Sequence, residues 1–335
     1  MKHLKKIIAG FAVLASLFNI SPSNTEESKS KKLTKLIFGG DVMLGGFIDS
    51  ALEKNQNPFS NLESTIRDAD ISFCNLEGPF TKSEKKIKKE FNFKVEPEKV
   101  KYLREAGFDV VSLANNHSYD YDGKGLEDTL YNLDKSSIAY CGAGVSVKKA
   151  RKASIIEKNG MKFAFLAYTT TQPSEMYANE KKPGVAYANA NWIKEDVSNA
   201  KNFSDVVVVS LHSGIEKSHH PTEKQKELSR LAIDSGADIV IGHHPHVIEG
   251  IEVYKKKIIA YSLGNLVFGG SKSGRVKETI LLEIIFNNNE IKDYNIIPVD
   301  VSKEVNYQPK KLEGAKKYET LRRLIGYSSQ INPKK

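Results

Sequence analysis

The chain has 335 residues, 40% hydrophobic and 27% charged, a globular composition with enough apolar material for a large core in one or two domains. Its formal net charge of +9 falls to about +6 without Lys2, Lys5 and Lys6 of the leader, and the other basic runs (Lys85-Lys86, Lys88-Lys89, Lys148 to Lys152, Lys255 to Lys257) carry no interleaved aromatics. That excludes a recognisable nucleic-acid module, and the runs read as solvated faces with a weak attraction for acidic polymers or anionic headgroups.

The first segment, residues 1–23, opens basic and continues into the apolar run Ile7 to Ile20, the length of a signal-peptide core and short for a membrane span. Export is expected, with two outcomes. Cleavage gives a secreted or periplasmic protein, and retention gives an amino-terminal membrane anchor with the body facing outward. No Cys lies near the leader, which excludes a lipoprotein. Residues 24–34 form a polar linker, residues 35–300 a folded domain, and residues 301–335 a C-terminal extension.

From Lys35 onward, strand-like runs alternate with helical stretches, which predicts an α/β domain. Lys35 to Phe38, Ile71 to Cys74, Val110 to Leu113, Phe163 to Ala167, Val206 to Leu211, Ile239 to Ile241 and Ile258 to Tyr261 read as largely buried strands. Pro97 to Ala106, stopped by Gly107, reads as a helix, as do Leu126 to Leu133 and Glu223 to Asp234. Glu278 to Phe286 and Ile291 to Val299 flank Asn287-Asn288-Asn289 as a hairpin. Cys74 and Cys141 lie in apolar contexts, where a small buried thiol is expected rather than a disulfide or a Cys-rich zinc site.

Five polar clusters follow these runs and gather carboxylate, amide and imidazole groups at one sheet edge, as a divalent-metal or phosphoryl-handling site requires. Asp41 emerges after Gly39-Gly40, although a lone Gly-Asp also fits a turn. Asn75 and Glu77 precede Gly78-Pro79, which holds the carboxylate in a loop. Asn115, Asn116 and His117 directly follow an apolar strand and are costly there unless partnered, by a ligand or by one another. His212 ends a buried strand. In IVIGHHPHV, His243, His244 and His246, stiffened by Pro245, can present two ring nitrogens to one ion or one to each of two. His219-His220 reads as surface or as a flap, Asn265 as a ligand neighbour or a turn former, and the region of Tyr168, Tyr187 and Trp192 as a lid or a rim loop.

In order and spacing, GDVML, NLEGPF, FDVVSLANNHSYDYDGKGLEDTL, YCGAG, LHSGIE, GADIVIGHHPHVIEGIEVY and YSLGNLVF resemble the capsule-synthesis CapA family, whose best-known members serve poly-γ-glutamate capsules. That family in turn resembles the calcineurin-like metallophosphoesterases. The resemblance implies a four-layer α/β/β/α sandwich with divalent metal, one or two ions of Mn, Zn, Mg or Fe, at the strand ends. It implies Asp41, Glu77, Asn116, His212, His244 and His246 as ligands, with a register shifted onto His243 also open, and His117 as the catalytic acid; from their positions Asn75, Asn115, His243 and Asn265 are expected around them. Two positions depart from the pattern. Met43 stands where the metallophosphoesterases have a His, and a thioether suits these metals poorly, so one metal position is expected to be weak or empty. Ser213 stands where the capsule family usually has Trp.

The function implied is that of an exported capsule factor acting in synthesis, export or release of an acidic polymer, beside polymer synthase or export subunits. Two alternatives stand next to it: an exported metal-dependent phosphoesterase acting on a nucleotide or phospho-sugar, and a non-catalytic scaffold with a degenerate site. A carboxylate polymer contains no phosphoester, so the family's process and the fold's chemistry concern different bonds.

Overall fold

The computed structural model describes residues 33–54, 56–171, 173–270 and 276–331; the expected leader and most of the expected linker lie outside the described residues. In chain order come β1 (Thr34–Met43), α1 (Asp49–Glu53), α2 (Glu63–Arg67), β2 (Ile71–Leu76), α3 (Val100–Ala106), β3 (Val110–Ser112), α4 (Asp122–Lys135), β4 (Ala139–Cys141) and β5 (Ala143–Gly144). Next are α5 (Val147–Ala150), β6 (Ser154–Lys158), β7 (Met161–Thr169), β8 (Gly184–Val185), α6 (Ala190–Lys201), β9 (Val206–His212), α7 (Glu223–Asp234) and β10 (Ile239–His243). The last are β11 (Ile251–Tyr254), β12 (Lys257–Ala260), β13 (Asn265–Phe268), β14 (Glu278–Asn287), β15 (Glu290–Asp300), β16 (Lys310–Lys311) and α8 (Gly314–Ile331).

Alternate residues along each strand go to opposite faces, and here both faces are buried, which is why the runs read as continuously apolar. Leu36, Phe38, Ile71, Phe73 and Val110 from one sheet meet Phe163, Phe165, Val206, Val208, Ile239 and Ile241 from the other in a central core. Phe73 and Phe165 stack across it, with centroids 5.8 Å apart. Their neighbours face outward: Ile37, Cys74 and Val111 pack with Ile66, Leu103 and Leu126 beneath α2, α3 and α4. Ala164, Leu166, Val207 and Val209 pack with Ile193, Val197, Leu228 and Ala232 beneath α6 and α7. The result is four layers, helix, sheet, sheet, helix. The first sheet runs β16-β15-β14-β1-β2-β3-β4 with β13 also paired to β1, and the second runs β11-β12-β10-β9-β7-β6.

The helix expected at Glu223 to Asp234 has those bounds, because Thr222 and Gln225 form a reciprocal capping box at its start. The hairpin expected around Asn287 to Asn289 joins the first sheet, with β14 paired to β1. Both cysteines are free and buried. The tail crosses the end of the second sheet, where Ile251 N donates to Ser328 Oγ at 2.9 Å and Tyr327 stacks on His219 at 4.5 Å. Tyr168 donates from Oη to Asp196 Oδ2 at 2.9 Å, and Trp192 lies against Arg151, so both belong to the outer layer and not to a lid. Among the described residues no helix is long and apolar enough to cross a membrane.

One buried carboxyl gives a clean stability test. Glu249 accepts from Gln225 Nε2 at 2.8 Å, its Oε1 has no partner, and burial pushes its pKa up to about 8. An acid whose folded pKa is raised contributes stability in full below its unfolded value near 4.5, and loses it as pH climbs towards 8. Glu249→Gln is therefore expected to match the parent in urea unfolding at pH 4.5 and to exceed it by about 2 to 4 kcal/mol at pH 8.5. Equal stability of the two at both pH values would refute this account.

Candidate metal centre

β1 brings Asp41 to the site by changing partners partway along. Its first half pairs antiparallel with β14, from Thr34 to Phe38, and its last residues pair parallel with β13, from Asp41 to Met43. Gly39-Gly40 lies at the crossover. A Cβ on Gly40 would stand 1.8 Å from the Gly264 carbonyl oxygen, so only glycine lets the chain leading into β13 approach. Asp41 N then donates to Gly264 O at 2.9 Å, and Asp41 sits in register between Asn75 and Asn265. The other clusters arrive at the same edge, since β2, β9 and β10 end within a residue of Glu77, at His212 and at His243.

Asn75 ties the carboxylates together. Its Nδ2 donates to Asp41 Oδ1 at 2.9 Å and to Glu77 Oε1 at 3.1 Å, and lies 3.3 Å from His212 Nδ1. Asn115 braces Asn75 from behind, donating to Asn75 Oδ1 and Leu76 O while its own Oδ1 accepts from the His117 and Ser118 amides. The second alternative for this segment, mutual satisfaction in a turn, thus describes Asn115 but not Asn116, whose Oδ1 lies 2.8 Å from His212 Nε2. His243 Nδ1 reaches Asp41 Oδ1 at 3.1 Å, and His246 Nδ1 lies 3.2 Å from Asp41 Oδ2 and 2.8 Å from Asn265 Oδ1. His244 faces His212, with ring centroids 4.9 Å apart.

A divalent cation fits this donor set. Asp41, Glu77 and His246 place ligand atoms within 4.8 Å of one another. Of the nine buried side-chain polar atoms without a hydrogen-bond partner among the described residues, four are here: Asp41 Oδ2, Glu77 Oε2, His243 Nε2 and His244 Nδ1. Unpaired donors and acceptors at that density are costly unless a ligand occupies them. His244 (φ +100°) and His246 (φ +61°) are also held in the left-handed region, strain of the kind that collects at functional sites.

The charges agree with this. Burial raises Glu77 to about 8, helped by the nearby Asp41 charge, as expected of two buried carboxylates side by side. Against its own burial, Asp41 is held well below the usual carboxylate range by His243 and His246. Burial pushes His212 well down and His244 to about 4, which leaves both imidazoles neutral with a lone pair to donate. His246 goes the other way: burial opposes it, but Glu77 and Asp41 lift it to about 9.

His117 is held by groups the motifs did not include. Its Nδ1 lies 2.7 Å from Asp120 Oδ2 and 3.1 Å from Lys89 Nζ, Lys89 pairs with Asp120 Oδ1 at 2.6 Å, and the ring stacks on Phe93 at 4.1 Å. Burial lowers the pKa of His117. Lys89 is a correction to the solvated-face reading of the basic runs, because its side chain is 12% exposed and that of Asp120 is 0% exposed. The signal for Asp120 was present three residues after His117, whereas a lysine inside a lysine-rich run carried none. Met43 is turned into the core beneath the first sheet, with its sulfur accepting from Gly45 N at 3.0 Å, so its side chain adds no donor to the site.

A model of the family described as bacterial capsule synthesis protein PGA_cap matches residues 35–270. The chain belongs to that family. It is 35% identical over 292 residues to the PGA biosynthesis protein CapA of Bacillus subtilis (strain 168), covering 86% of this chain and 76% of that one. It is 30% identical over 292 residues to the capsule biosynthesis protein CapA of Bacillus anthracis, covering 84% and 70%. Among solved structures, a 5'-nucleotidase precursor from Thermus thermophilus superposes with a TM-score of 0.50 at 12% identity, over 89% of this chain and 59% of that one. That likeness concerns fold alone, and it agrees with the metallophosphoesterase-type sandwich expected from the resemblance.

Proposed function

We propose that this chain is exported by its leader and acts beside the membrane machinery that makes an acidic surface polymer of the poly-γ-glutamate kind, using a divalent-cation centre in synthesis, export or release. Family membership supports the process. The convergence of Glu77 Oε2, His243 Nε2 and His244 Nδ1, three buried ligand atoms without a partner, on an Asp41 Oδ2 met only by His246 at 3.2 Å, carries the claim that a cation site operates in it. Asp41, Glu77 and His246 would hold one cation, and Asn116, His212 and His244 form the adjoining set. A bound divalent cation supplies charge stabilisation for a phosphoryl oxygen and lowers the pKa of a water. Asn75 and His243 fix the Asp41 carboxylate through hydrogen bonds. Asp120 accepts from Nδ1 of His117 and is itself paired with Lys89, which leaves Nε2 as the ring nitrogen that would pass a proton to a leaving oxygen, and Phe93 stacks on the ring.

That hold on His117 favours hydrolysis of a phosphoester, on a polymer carrier, a nucleotide or a phospho-sugar, over a purely structural role. The test has two arms. Purified protein is assayed on phosphomono- and phosphodiesters with Mn²⁺, Zn²⁺ or Mg²⁺ beside His244→Ala, and cells lacking the gene are complemented with each form. Activity is expected to fall by about 100-fold or more in the variant, with loss of surface polymer. Unchanged polymer in the deletion strain would remove the capsule role. No hydrolysis with any metal, alongside full complementation by His244→Ala, would establish a scaffold.

A further inference from the structure

The turn that follows β9 is tied to the histidine-rich segment at two points. Ser213 N donates to His243 O at 3.0 Å, and Lys217 N donates to Pro245 O at 2.8 Å. Those bonds run the turn alongside residues 243–245 and leave Glu216, one residue before the second tie, next to the imidazoles. Gly214 makes the bend possible: it has φ +119°, and a Cβ there would lie 2.8 Å from the Gln225 side chain. The carboxylate of Glu216 forms with His244 and His246 a three-donor group whose ligand atoms all lie within 4.8 Å. His246 is common to this group and to the inner one with Asp41 and Glu77. Two neighbours are idle. Glu216 is exposed and shows no hydrogen bond or ion pair among the described residues, and His244 Nδ1 is buried without a partner.

An exposed glutamate is ordinarily a solvated surface group. What sets this one apart is that two backbone ties on either side of it and two left-handed histidines bring a carboxylate and two imidazoles within reach of one ion. We propose that Glu216 is a cation ligand at the mouth of the centre, closing with His244 and His246 a position of two imidazoles and one carboxylate. Such a set suits Zn²⁺, Mn²⁺ or Fe²⁺ better than Ca²⁺, which takes oxygen ligands. It provides from the solvent side the donor that Met43 does not provide from the strand. The inference rests on the metal centre proposed above.

The test is binding of Zn²⁺ and Mn²⁺ to the full protein by calorimetry, with metal content after dialysis, for the parent, Glu216→Gln and Glu227→Gln, an exposed carboxylate on α7 paired with Lys224. Glu216→Gln is expected to lose about 10- to 100-fold in affinity for one ion, while Glu227→Gln matches the parent. The visible bands of the Co²⁺-loaded protein should also change in Glu216→Gln, which loss of a remote charge would not cause. Parent-like affinity, stoichiometry and spectrum in Glu216→Gln would overturn the role of Glu216 and leave the centre standing. Absence of binding to the parent itself would overturn the centre and this ligand together.

Discussion

Asp41→Asn is expected to reduce cation affinity by about 100-fold or more while leaving the fold intact. Asp41 is fully buried, and its carboxylate is where the site's other groups meet: Asn75 and His243 donate to Oδ1, and His246 approaches Oδ2. Asn has the same shape and keeps one acceptor, so the packing between β2 and β13 should survive. What it removes is the buried negative charge that would offset the two positive charges of the proposed cation. In the metal-free protein the exchange is close to balanced, because His246 loses its partner while Glu77 loses a charge that repels it. Metal-free stability should therefore stay within about 1 kcal/mol of the parent. Equilibrium dialysis and urea unfolding read the two effects separately. Parent-like cation affinity in Asp41→Asn would show that the ion sits elsewhere.

Lys89→Met is expected to cost about 3 kcal/mol of stability, far more than a surface lysine would. The reason lies in what it leaves behind. Asp120, whose side chain is 0% exposed, would retain the Phe93 amide as a donor at 2.7 Å but lose the cation that balances its charge. Breaking one side of a buried pair is costly, whereas removing both sides is nearly neutral. The double variant Lys89→Met/Asp120→Asn should accordingly recover most of the loss. Because Lys89 pairs with the Asp120 carboxylate that accepts from His117 Nδ1, the single variant should also lower the proposed phosphoester turnover more than substrate affinity. Urea unfolding of the parent and both variants decides the matter. A cost under about 0.5 kcal/mol for Lys89→Met would return Lys89 to the solvated run.

Several site residues could be recognised from short patterns. Glu77, His212 and the GHHPH segment lie at strand ends, and strand ends can be read because an apolar run stops where the chain leaves the core. The order of the clusters along the chain carried the family resemblance. Glu216 stood inside one of the matching segments, LHSGIE, but nothing local marked its carboxylate as facing imidazoles. Lys89 was hidden for the opposite reason, since its neighbours Lys86 and Lys88 follow the solvent pattern that it breaks. The separate parts played by His243, His244 and His246 were equally closed to pattern reading. Three imidazoles in four residues have no period, and their directions follow from the end of β10 at His243 and the left-handed backbone at His244 and His246.

By itself the sequence determined most of the buried strands, three of the helices that cover them and the chemical kinds of donor at the strand ends, while the helix at Ala190–Lys201 went unread. These depend on which residues avoid water and how the chain turns, and both are properties of neighbouring residues. Only the tertiary structure decided which donors meet. The contact between Asp41 and His243 spans 202 positions, and the one between Asn116 and His212 spans 96. Each depends on the register of parallel strands and on the glycines that let backbones close up, and no local periodicity encodes that closure.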